Sequence, residues 1–135
     1  MYLSIILYFL RRLFRRVMAP ARKARLNPGK KYPCHINLFK IDDMGRLGRF
    51  YHVGSELMLN ERLRSAAEEY LEKHYDRVFA DNGGWTTGIG TDDADDGSFQ
   101  ELLDTMSVEQ SAKFYKMCRT MVFDLKKFLA RMENA

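Results

Sequence analysis

In the first eighteen residues the apolar positions Ile6, Phe9, Leu10, Leu13, Phe14 and Val17 recur at three- and four-residue steps, so they share one face of a helix. Arg11, Arg12, Arg15 and Arg16 fall on the opposite face. Pro20 ends the pattern, because proline lacks an amide donor and disfavours helix at the residue before it. The pattern predicts a basic amphipathic helix over residues 2–18. Asn27-Pro28-Gly29-Lys30-Lys31 then forms a turn-rich polar hinge.

The next period is that of a strand. Tyr32 to Ile41 nearly alternates and is rich in β-compatible residues, and Asp42-Asp43-Met44-Gly45 is a turn. Arg46 to Val53 reads as the returning strand of a hairpin. From Leu57 to Phe79 the period becomes helical, with Leu63, Ala66, Ala67, Tyr70, Leu71, His74 and Val78 on one side and Glu69 and Lys73 as a four-residue ion pair. Asp81-Asn82-Gly83-Gly84 stops it. Trp85 to Gly90 predicts a short third strand, and residues 91–97 form an acidic loop. Ser98 with Glu101, and Ser107 with Gln110, have the spacing of a capping box, in which side chains satisfy the orphan amides of a helix start.

The last helix, residues 107–133, would be about 40 Å long. Its apolar stripe is Val108, Ala112, Tyr115, Cys118, Val122, Leu125, Leu129 and Met132, widened by Phe114, Met117, Met121 and Phe128. A stripe that broad suits either the central core helix or a helix that is in part a homodimer or partner surface. Together these elements predict an α+β fold: a small antiparallel sheet, a hairpin plus a third strand, packed on two longer helices and preceded by the basic helix. The domain division is an arm and hinge over 1–31 and one α+β domain over 32–135.

Charge sharpens that division. Nine of the first 31 residues are Lys or Arg and none is acidic, whereas the whole chain is only +4, so the body is net acidic. Such segregation points to a negatively charged partner for the arm. The ten residues before Arg11 fall short of the roughly 20 that span a bilayer, so the arm suits an interface rather than a crossing. Its arginines follow the apolar stretch instead of preceding it, which disfavours a secretory signal. Arginines interleaved with aromatics also suit nucleic acid, but Tyr2, Phe9 and Phe14 lie on the side that wants burial and only Tyr8 shares the arginine face, so nucleic acid ranks lower. Met18 followed by Ala19-Pro20-Ala21 would serve equally as a start, leaving the first residues an uninformative leader. Cys34 and Cys118 form neither a disulfide framework nor a zinc ribbon, which suits a reducing, intracellular compartment.

Candidate chemistry is sparse. With Gly97 at the sixth position of a calcium loop, Ala94 and Leu103 would occupy the third and twelfth, where oxygen ligands belong. Asp93 and Asp95 after Gly83-Gly84 could hold magnesium on a triphosphate only from a buried strand end, and Asp92 and Asp96 put them in a polar run instead. Cys34, His35, His52 and His74 are the soft ligands and nucleophiles near one another. A zinc site from His35 or His52, or a paired-histidine nuclease with Arg49 beside it, needs the rings on one hairpin face. His74 is expected to be half-buried, and Trp85 to be either a plug under the loop or an exposed contact anchor.

The sequence therefore predicts no metal and no cofactor, and a small intracellular, non-enzymatic accessory or adaptor protein whose arm docks either on a membrane surface or on an acidic partner. Arg11, Arg12, Arg15 and Arg16 would attach electrostatically to a membrane surface or acidic partner, with Phe9, Leu10, Leu13 and Phe14 packing or inserting. The body would bind another protein, with Trp85, Asp92, Asp93, Asp95 and Asp96 as further contact residues. The alternative is an inhibitor or immunity-type protein whose acidic body blocks the basic site of a nucleic-acid enzyme. A metal- or histidine-dependent enzyme ranks third.

Overall fold

A computed structural model describes residue 10 and residues 29–54, 57–91 and 96–134. They form an α+β fold with a four-stranded antiparallel sheet: β1 (Tyr32–Ile41), β2 (Leu47–His52), β3 (Leu57–Leu59) and β4 (Trp85–Gly90). The described helices are α1 (Glu61–His74), α2 (Asp76–Asp81), α3 (Phe99–Asp104) and α4 (Val108–Glu133). Of the arm only Leu10 is described, helical and exposed; the remainder of the amphipathic helix lies outside the described residues.

The hairpin is held by its turn. Asp42 accepts the amides of Met44 at 2.9 Å and Arg46 at 2.8 Å and the Arg46 Nε at 2.8 Å, and Gly45 supplies the positive φ of 75°. Those bonds, led by the Arg46 amide, hold the Asp42 carboxyl below its ordinary range. β1 is the centre of the sheet. It pairs with β2 over Asn37–Ile41 and with β3 over Tyr32–Cys34, and along its other edge with β4. Cys34, Ile36 and Leu38 of β1 enter the core with Tyr51, Trp85, Ile89 and the inner faces of the helices. His35, Asn37 and Phe39 point to the opposite face.

The continuous helix expected over Leu57–Phe79 is three elements. Leu57–Leu59 is strand β3, because its carbonyls and amides pair with Tyr32–Cys34; Asn60 then caps α1 by accepting the Leu63 amide at 2.9 Å. The helix breaks at Tyr75, whose φ of −129° leaves the helical region. Tertiary partners explain the break. The Tyr75 hydroxyl donates to Asp124 of α4 at 2.5 Å, and Asp76, the first residue of α2, is buried and accepts both the Thr87 amide and hydroxyl of β4.

Burial, followed by the bond to Asp124, raises the Tyr75 hydroxyl well above its ordinary ionisation range. A folded proton held more tightly than the unfolded one stabilises fully below about pH 10 and is lost as pH climbs beyond it. Tyr75→Phe is therefore expected to cost about 1–2 kcal/mol at pH 7 and to narrow that deficit above pH 10. Urea unfolding at pH 7 and at pH 10.5 checks this; a pH-independent difference contradicts it.

At the start of α4 the capping box is complete, with Ser107 Oγ accepting the Gln110 amide at 3.1 Å and Gln110 accepting the Ser107 amide at 3.3 Å. The box expected at α3 does not form. Ser98 makes no side-chain cap, and Glu101 instead reaches Arg49 at 3.2 Å. Arg49 also covers the Tyr51 ring at 5.2 Å and fills the space beside Gly97, where a Cβ would come within 2.2 Å of its guanidinium.

Candidate functional site

The core stripe of α4 is not the one its periodicity suggests. Phe114, Cys118, Met121, Leu125 and Leu129 are buried, while Val108 is 88% exposed, Tyr115 46% and Phe123 62%, and Ala112 is also exposed. Val108, Ala112 and Tyr115 belong instead to a second stripe. Residues 108, 112, 115, 119, 122 and 126 alternate four- and three-residue steps, the spacing of a helix–helix seam, over about 27 Å. Val122 within it is partly buried against the core, and Phe123 flanks it. Exposed Lys116, Arg119, Lys126 and Lys127 lie in or beside this seam. Arg119 covers the Tyr115 ring at 5.8 Å and Lys127 the Phe123 ring at 5.4 Å, so the cations and aromatics form one surface.

Apart from Tyr115, whose ring lies 6.3 Å from Phe99 of α3, and the partly buried Val122, the seam faces away from the core because the opposite side of α4 is engaged. Phe114 takes Phe79 of α2 edge-on at 5.8 Å and approaches Phe99 of α3 at 6.4 Å. Phe128 stacks on Tyr70 of α1 at 4.6 Å, and Asp124 accepts from Tyr75. The orientation of the exposed stripe follows from these contacts.

A second constellation lies on the sheet. His52 stands opposite Asn37 in the register, which puts it on the face of His35, and the two imidazole centroids are 4.4 Å apart. Gly88 and Gly90 of β4 floor this face: a Cβ at Gly88 would meet Phe39 at 2.8 Å and one at Gly90 would meet Asn37 at 2.4 Å. The hairpin therefore meets the requirement that both rings share a face. The cation does not follow, since Arg49 bonds Glu101 and covers Tyr51 on the core-facing side. His35 is 5% exposed, and His52 Nε2 is engaged with the Gly54 carbonyl at 2.5 Å. No group of three or more metal-ligating side chains is found among the described residues.

Two expectations are corrected here. Trp85 is 6% exposed, packed edge-on to Tyr51 at 5.5 Å and covered by Lys40 at 4.8 Å, so it is a buried core residue and not an exposed contact anchor. Lys40 is held there by the Gly83 carbonyl. His74 is exposed rather than half-buried, its ring resting on Tyr70 at 4.6 Å. Of the acidic loop, Asp96 is described and exposed; Asp92, Asp93 and Asp95 lie outside the described residues, as do Phe9, Arg11, Arg12, Leu13, Phe14, Arg15 and Arg16.

Both cysteines are buried and free. Burial pushes the Cys118 thiol up to about 12 and raises Cys34 as well. Thiolate is the reactive form, so the native protein is expected to react with dithionitrobenzoate at pH 8 at least roughly a hundredfold more slowly than the urea-unfolded chain. Rapid native labelling of either thiol would contradict this.

No described helix is long and apolar enough to cross a membrane. No family model matches the chain, and no curated protein and no solved structure matches it either.

Proposed function

We propose that this protein is a non-enzymatic accessory subunit that binds another protein through the outer face of α4, with its basic arm supplying a second, electrostatic attachment to an acidic partner or membrane surface. The observation that carries the reading is the exposure of Val108 at 88% and Phe123 at 62% on a face that also carries Ala112, Tyr115 and the exposed cations Lys116, Arg119, Lys126 and Lys127. Large apolar side chains scattered singly need no explanation, but here they recur along one seam and carry their own cations, the composition of a contact surface with aromatic anchors. The arm has the same sign of charge as this face, so one acidic assembly would attract both.

Affinity purification of the full chain from its native cell, beside the Val108→Ser/Phe123→Ser variant, tests the proposal. Both positions are exposed, so the substitutions are expected to change stability by less than about 0.5 kcal/mol while removing the principal co-purifying protein. An identical set of co-purifying proteins for both forms, with unchanged circular dichroism, would overturn it.

A further inference from the structure

We infer that the outer face of α4 receives an amphipathic helix with acidic side chains flanking its apolar stripe, an inference that rests on the proposed function and names its partner's chemistry. The four-and-three spacing of Val108, Ala112, Tyr115, Arg119, Val122 and Lys126 is that of a seam between two helices, and a facing helix of about four turns or more would run along most of it. Charge decides which helix. Arg119 and Lys126 stand within the seam and Lys116 and Lys127 beside it, all exposed, so the partner must bring carboxylates to those levels or leave cations desolvated and unpaired.

A second copy of this chain is the less complementary occupant. Parallel, two α4 helices would stack Arg119 on Arg119 and Lys126 on Lys126. Antiparallel, with the seam residues facing one another, Arg119 would stand opposite Tyr115 and Lys126 opposite Val108, so neither cation would face a carboxylate. A lipid surface wants a continuous apolar band with cations at its rim, whereas here cations interrupt the band. Nucleic acid would use Tyr115 and Phe123 for stacking but leaves Val108 at 88% exposure and Ala112 with no role.

The test uses the full chain and three probes: a fluorescent peptide of about three heptads with leucine in the seam and glutamate flanking it, the same peptide with lysine for glutamate, and phosphatidylserine vesicles. The glutamate peptide is expected to bind and the lysine peptide not to. Arg119→Glu/Lys126→Glu should weaken the glutamate peptide at least about tenfold and admit the lysine peptide, and Phe123→Ser should weaken it about tenfold without changing the fold. Because the arm is also basic, binding that survives the α4 charge reversal belongs to the arm and overturns the inference. Equal binding of both peptides, or binding to vesicles alone, overturns it too. If neither peptide binds but the partner captured from the cell is still lost on Val108→Ser/Phe123→Ser substitution, the acidic helix is refuted and the accessory-subunit reading stands.

Discussion

Asp76→Ala is expected to lower stability by about 3 kcal/mol, moving the urea midpoint down by about 1–2 M. The side chain is buried where α2 begins, and one carboxylate oxygen accepts the Thr87 amide at 3.1 Å and its hydroxyl at 2.6 Å. Alanine removes the carboxyl acceptor and leaves the Thr87 amide, inside the protein, without the Asp76 oxygen it donates to. That desolvated amide, and not the lost bond alone, makes the effect large. Asp76→Asn keeps the shape and an oxygen that can accept, so it should cost less, about 1–2 kcal/mol. Thr87→Val removes the hydroxyl only and should cost about 1 kcal/mol. If all three substitutions cost the same, the carboxylate is not what ties α2 to the sheet.

This contact also shows why part of the architecture was hidden in the chain. The hairpin was readable, because Tyr32–Ile41 alternates and Asp42 with Gly45 carries its own turn chemistry. The α4 start was equally local, Ser107 and Gln110 satisfying each other. The break at Tyr75 has no glycine or proline to announce it. Its causes, Asp124 and Thr87, lie 49 and 11 positions away from the residues they bind. Leu57-Met58-Leu59 suits a helix as well as a strand by composition, and only Tyr32–Cys34 across the sheet selects the strand.

The site was obscured for a related reason. Apolar residues surround more than half of α4, so which side is buried depends on Phe79, Tyr70 and Tyr75 on other elements. Periodicity alone merged the stripe of Phe114, Cys118 and Met121 with that of Val108, Ala112 and Tyr115. A signal was present in the cations: Lys116, Arg119, Lys126 and Lys127 crowd around the second stripe, and charged residues are rarely buried unpaired. The shared face of His35 and His52 needed the register that sets Asn37 against His52, which spacing along the chain does not supply.

Phe79→Ala is expected to be the most damaging single change, at about 3–5 kcal/mol. The ring is fully buried, meets Phe114 edge-on at 5.8 Å and Tyr75 at 6.4 Å, and so joins α2 to α4 where Phe114 also reaches Phe99 of α3. Truncation leaves a cavity beside Phe114 and Tyr75, and close-packed surroundings relax into it only in part. A loss of that size approaches the whole stability of a small domain, so the variant should be substantially unfolded by body temperature. Phe79→Leu fills much of the space and should recover at least half of the loss, as read by thermal unfolding at equal protein concentration. Phe123→Ser removes an aromatic ring from α4 itself yet should leave the melting temperature nearly unchanged, since Phe123 is 62% exposed. Below its melting temperature Phe79→Ala keeps every seam residue, so any folded fraction should still bind the glutamate peptide, whereas folded Phe123→Ser should bind it weakly. Weak binding by folded Phe79→Ala would mean that the seam depends on how α2 seats α4, making Phe79 a positioning residue for the surface it never touches.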